Sequence, residues 1–134
     1  MKKFQHDPFP TYTPKNYPNA EMKELFKAIL KLKTNDEAAK FFRDLLTIAE
    51  IREFANRWQM VKMIYQKKSY TEISDKLNVS TRTITRVAHW LYHGFGGYRL
   101  MSDRVFETKF KDSDVPDRYY HSGKYRGLRK TNVL

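Results

Sequence analysis

From Asn19 onward, apolar residues recur at three- and four-residue intervals, the period of an amphipathic helix and not of a strand. Asn19 is placed to cap a helix whose apolar face is Met22, Leu25, Phe26, Ile29 and Leu30. Thr34 and Glu37 form a T-x-x-E capping box ahead of Ala38, Phe41, Phe42 and Leu45. Thr47 and Glu50 repeat that box and open a third helix, through Ile51, Phe54, Ala55, Trp58 and Val61 to Tyr65. On it, Phe54, Trp58, Val61 and Tyr65 share one side, with Met60, Met63 and Ile64 beside them. A helix apolar over much of its circumference is buried on several sides. A chain of 134 residues offers few elements for that, so the pattern predicts a core shared by two copies, a compact monomer being the alternative.

The segment Tyr70 to His93 reads as two short helices around a tight turn. Thr71 is the expected cap of the first, with Glu72 in its first turn and an apolar edge of Ile73 and Leu77. Asn78 falls where the chain must turn, and asparagine tolerates the left-handed conformation. Val79 fills the angle between the helices, Ser80 caps the second, which runs from Thr81 to about Tyr92, and Gly94 ends it. Ile84, Val87, Ala88 and Leu91 make an inward stripe. Arg82, Thr85, Arg86, His89 and His93 make the opposite one, and Ser80, Thr81 and Thr83 crowd the first turn. A helix-turn-helix puts the N-terminal part of its second helix into the major groove, where arginine bonds guanine edges and Ser or Thr reaches bases or phosphates.

The flanks differ from this periodic middle. Residues 1–18 hold four of the five prolines among Phe4, Phe9, Tyr12 and Tyr17, a composition that prevents helix. Gly94, Phe95, Gly96 and Gly97 form a joint, and Tyr98 to Phe106 makes one more short helix with Leu100, Met101, Val105 and Phe106 as its apolar residues. Periodicity fades from Lys109. Residues 118–134 carry five basic residues (Arg118, Lys124, Arg126, Arg129, Lys130) and no acidic one, interleaved with Tyr119, Tyr120 and Tyr125. Three segments follow: an arm over 1–18, a helical domain over 19–106 with its helix-turn-helix at 71–93, and a basic tail over 107–134.

Charge sharpens the picture. Lysine and arginine number 26 against 15 acidic residues, a formal net charge of +11, and a small basic protein usually meets a polyanion. Cysteine is absent, which removes disulfides and thiolate metal sites and fits a cytoplasmic protein. No run of about 20 apolar residues is present to span a membrane. Metal binding is not expected: His89 and His93 are spaced i, i+4, but no third ligand accompanies them. No P-loop, dinucleotide fingerprint or acid-base carboxylate pair points to an enzyme.

The motif Leu45-Leu46-Thr47-Ile48-x-Glu50-Ile51, then Arg57, then Thr83-Ile84-Thr85-Arg86-Val87, resembles the Trp repressor superfamily, and within it the YerC/YecD-type members. The resemblance covers roughly residues 20–106. It implies an all-α fold of six helices, two subunits interlocked through the first three helices and the last, and a helix-turn-helix projecting from that core. It also implies an effector site, because two arginines of the Trp repressor sandwich the indole of its tryptophan corepressor and correspond to Arg57 and Arg86. Here Val87 follows the second arginine where the repressor has glycine, and Trp90 replaces a serine that holds the amino group. These larger side chains take the space an indole needs, so L-tryptophan is not expected as effector.

The expectation is a homodimeric regulator of transcription that binds double-stranded DNA through Ser80, Thr81, Arg82, Thr83, Thr85, Arg86 and His89, with Lys67, Lys68 and the basic residues of the tail adding affinity that does not depend on sequence. It would be cytoplasmic, and on the nucleoid when bound, with no cofactor and no membrane partner. Two rival readings are an RNA or single-strand binder working through the basic tail, and a protein-interaction module of the transcription machinery.

Overall fold

The computed structural model describes residues 13–119; most of the proline-rich arm, and the tail beyond Tyr119 with Lys124, Arg126, Arg129 and Lys130, lie outside the described residues. Six α-helices follow one another: α1 (Ala20–Ile29), α2 (Asn35–Leu45), α3 (Ile48–Tyr65), α4 (Tyr70–Leu77), α5 (Thr81–His93) and α6 (Gly97–Phe106), then two 3-10 turns at Asp112–Asp114 and Asp117–Tyr119. Among the described residues there is no strand, and the fold is all-α. Packing divides the chain within α3: one unit ends at Asn56 and another begins at Arg57.

In the first unit the helix ends are set by side chains. Asn19 Oδ1 accepts from the Met22 N–H at 2.9 Å. Thr34 accepts from the Glu37 N–H at 3.1 Å. The Thr47 box closes in both directions, with the Glu50 N–H donating to Thr47 Oγ1 at 3.2 Å and the Thr47 N–H donating to Glu50 Oε2 at 2.8 Å. Yet neither α1 nor α2 buries a single residue. Leu30, expected on the apolar face of the first helix, is its C-terminal cap and is 82% exposed. Met22, Phe26, Leu45, Ile48 and Phe54 are exposed as well.

The buried core lies in the second unit. Met60, Val61, Met63 and Ile64 of α3 meet Ile73 of α4 and Ile84, Val87, Ala88, Leu91 and Tyr92 of α5. The four-residue inward stripe expected on α5 is therefore buried throughout. Val115 and Tyr119 join the same core. On α6, Ser102 is fully buried and Phe106 stacks on Trp58, whereas Leu100, Met101 and Val105 are exposed.

Local chemistry explains how the helix-turn-helix is cut from this chain. Helix α3 stops at Lys67, which is left-handed (φ 61°), and the Lys68 N–H bonds the Met63 carbonyl at 3.0 Å, closing a Schellman turn. Helix α4 is capped by Ser69, whose hydroxyl accepts from the Glu72 N–H at 3.1 Å, and not by Thr71. Both residues are capping types; Ser69 wins because the Schellman turn ends at Lys68 and leaves it extended. Asn78 takes the left-handed conformation expected of it (φ 52°), and Ser80 caps α5 through the Thr83 N–H at 3.2 Å. Gly94 ends α5 for a different reason than handedness. Its φ is −77°, but an added Cβ would lie 2.3 Å from the Trp90 carbonyl oxygen. The left-handed glycine is Gly96, which opens α6 at φ 86°.

Candidate nucleic-acid interface

Helix α5 packs against both α4 and α6, and its exposed surface lies at its N-terminal turn. Ser80, Thr81 and Arg82 are exposed there, and Thr83, Thr85 and Arg86 are half-buried. Three hydroxyls in the first two turns, those of Ser80, Thr83 and Thr85, are already oriented. Ser80 and Thr83 are hydrogen-bonded to each other at 2.9 Å, and the Thr85 hydroxyl donates to the Thr81 carbonyl at 2.9 Å. With its proton committed, Thr85 keeps its oxygen lone pairs and its methyl group for a partner. A base edge in the major groove offers an amino donor to the first and a thymine methyl to the second. Arg82 lies one turn earlier and is exposed, with a planar guanidinium that matches two acceptors at once.

His89 is a correction. Expected on the outward stripe, it is only 8% exposed. Its ring lies under Tyr119, edge to face at 4.6 Å. The stripe is cut short because the chain beyond α6 folds back over the C-terminal half of α5. His93, from the same stripe, is covered too, with its Nε2 3.1 Å from the Tyr119 carbonyl oxygen. Among the described residues no group of three His, Cys, Asp or Glu side chains is placed to hold a metal.

The returning segment is held at several points. Asp103 accepts from the Phe110 N–H at 2.7 Å and the Tyr65 hydroxyl at 2.9 Å. Arg99 donates to the carbonyls of Leu91 (3.1 Å) and Tyr92 (2.7 Å), which lie in the last turn of α5, and pairs with Asp112 at 2.9 Å. Its guanidinium also lies 4.7 Å from the centre of the Phe110 ring. Tyr119 ends this run, with its hydroxyl on that of Tyr70 and its ring against Tyr92 at 4.8 Å. Burial pushes the phenols of Tyr92 and Tyr119 far above their ordinary value, so both stay neutral at physiological pH. Nothing in the pattern of apolar residues announced this segment, because a chain without periodicity gives no helix signal. The density of Phe110, Val115, Pro116 and Tyr119 was the available clue.

The other expected site residues have these surroundings. Lys67 forms an ion pair with Asp114 at 3.5 Å, and Lys68 pairs with Glu72 at 3.7 Å. Both remain exposed, so each pair is weakly held and leaves the lysine able to meet a phosphate. Asp114 also accepts from the Lys111 N–H, and that bond, with the nearby lysines, lowers its carboxyl below the ordinary value. Arg57 and Arg86 are half-buried, Val87 is buried and Trp90 is half-buried.

The comparisons with known proteins agree with this geometry. The family model described as Trp repressor protein matches residues 20–105. The uncharacterized protein YerC of Bacillus subtilis is 39% identical over 93 residues, spanning 69% of this chain and 89% of its own. A solved structure of a TrpR-like protein from Eubacterium eligens superposes with a TM-score of 0.67 at 35% identity, covering 72% of this chain and all of that one. A further solved structure, from Staphylococcus aureus, gives a TM-score of 0.65 at 35% identity over 73% of this chain and all of its own. Six helices in this order, a helix-turn-helix cut by Asn78 and Ser80, and a family match over 20–105 place the chain in the Trp repressor family of DNA-binding regulators, as a YerC-type member.

Proposed function

We propose that this protein is a homodimeric transcriptional regulator that reads double-stranded DNA in the major groove with the N-terminal half of α5. The observation that carries this reading is the exposed first turn of α5, with its capping hydroxyls prearranged, on a helix whose opposite face is fully buried. Arg82 and Arg86 are the donors to guanine edges, Thr83 and Thr85 contact bases, and Ser80 and Thr81 meet the phosphates. Lys67 and Lys68 add affinity that does not depend on sequence.

The dimer is supported by what the single chain leaves uncovered. Met22, Phe26, Leu30, Leu45 and Phe54 of the first unit, and Leu100, Met101 and Val105 of α6, are exposed apolar side chains. A second copy covering these faces completes a core that α1 and α2 do not have alone. An isologous dimer carries two reading heads related by a two-fold axis, and its site on DNA has the matching symmetry. The protein acts in the cytoplasm, on the nucleoid; among the described residues no helix is long and apolar enough to cross a membrane.

The head is also proposed to work without L-tryptophan. Val87 is buried and Trp90 half-buried, and by the resemblance to the Trp repressor they replace the glycine and serine that leave room for the corepressor's indole and amino group. Selection from a pool of random duplexes at about 0.15 M salt, where long-range charge effects are largely screened, tests both statements. An enriched palindrome, the same with and without L-tryptophan, is the expected result. Binding with no enriched sequence would overturn the reading of α5. Enrichment only when tryptophan is added would overturn its independence from effector.

A further inference from the structure

We propose that Arg118, which lies outside the helix-turn-helix and outside the residues matched by the family model, is a second DNA contact, gripping a backbone phosphate on the flank of the groove that α5 enters. The inference rests on the reading of α5 given above and adds a separate element to it.

The Arg118 guanidinium lies 4.7 Å from the centre of the Tyr70 ring and 5.3 Å from that of Tyr119. Tyr70 opens α4, and Tyr119 is anchored in the core by His89, Tyr92 and His93. The cation therefore lies over two rings that are themselves packed in the fold, contacts that lower the entropy an exposed arginine loses on binding. Among the described residues no carboxylate pairs with it. It lines a groove of about 240 Å³ together with Tyr70, Thr85, His89 and Tyr119. Thr85 belongs to the reading face of α5, so the groove borders the surface that faces DNA. Among the described residues that line the groove, Arg118 is the one lysine or arginine.

Phosphate is the partner that fits. A planar guanidinium with donors left over after stacking matches two phosphate oxygens, and Arg is preferred where such geometry recurs. The residues after Tyr119 continue the same chemistry, with Lys124, Arg126, Arg129 and Lys130 and no acidic residue through Leu134. The chain enters that basic stretch from a point fixed beside the recognition helix.

The test compares the full-length protein with Arg118→Ala and Arg118→Lys by fluorescence anisotropy. Each is titrated with its selected duplex and with a random duplex across a range of salt, and thermal melting is recorded alongside. Neutralising one phosphate contributes about 0.9 to the slope of log affinity against log salt. Arg118→Ala is expected to lower that slope by about 0.9 and to weaken both duplexes by a similar factor. Arg118→Lys should keep the slope and lose affinity through its poorer stacking. An unchanged slope with a lowered melting temperature would overturn the proposal and leave Arg118 a clasp on Tyr70. A loss confined to the selected duplex would overturn it in favour of a base contact. Slope is measurable on random DNA as well, so a wild-type protein that selects no sequence would defeat the reading of α5 while still answering the question about Arg118.

Discussion

Tyr119→Ala is expected to destabilise the protein by about 3–5 kcal/mol, the range for deleting a buried aromatic side chain. Tyr119 is 3% exposed and closes the core over the C-terminal half of α5. Its ring is in edge contact with both His89 and Tyr92, and its hydroxyl meets that of Tyr70. Truncation would open a cavity among His89, Tyr92 and Tyr70 and remove the anchor of residues 107–119. Tyr119→Phe keeps the ring and removes only the hydroxyl, so it should cost about 1 kcal/mol. Urea denaturation followed by circular dichroism separates the two. An alanine variant as stable as the parent would mean that the segment beyond α6 contributes nothing to the folded head.

Arg82→Ala is expected to weaken binding to the selected duplex by about 1–3 kcal/mol, while leaving affinity for random duplex much less affected. The residue sits in the first turn of α5, exposed, on the helix end that enters the groove. Its effect is on sequence discrimination because a bidentate bond to one base edge is lost, not a general attraction to phosphate. Competition titrations against random DNA measure the difference directly. Equal losses on both duplexes would assign Arg82 to the backbone instead.

Most of the fold was legible in the sequence because its signals are local. Caps such as Asn19, Thr34, Thr47 and Ser80 act within one turn, and each makes the bond its spacing implies. The inward stripe of α5 follows from helical period alone. One local reading erred through competition between neighbours, with Ser69 capping α4 in place of Thr71, whereas Gly94 ends α5 as expected. The larger miss was non-local. His89 has the spacing of a surface residue, and only the return of Tyr119 from 30 positions later buries it. For the same reason Arg99 was not singled out, and Arg118 stood out only as one of the basic residues of the tail. Their partners, the last carbonyls of α5 and the rings of Tyr70 and Tyr119, are brought to them by tertiary packing. The uncovered apolar faces of α1, α2 and α6 tell the converse story: the sequence marks them as buried, and the isolated chain leaves them exposed.

Groove-specific base substitution tests the central claim most directly. Each guanine of the selected half-site is replaced in turn by 7-deazaguanine, which lacks the major-groove N7 acceptor, or by inosine, which lacks the minor-groove amino group. If α5 reads the major groove, 7-deazaguanine at the arginine-contacted positions weakens binding by about 1–3 kcal/mol and inosine leaves it nearly unchanged. Sensitivity to inosine alone would place the protein in the minor groove and contradict the account.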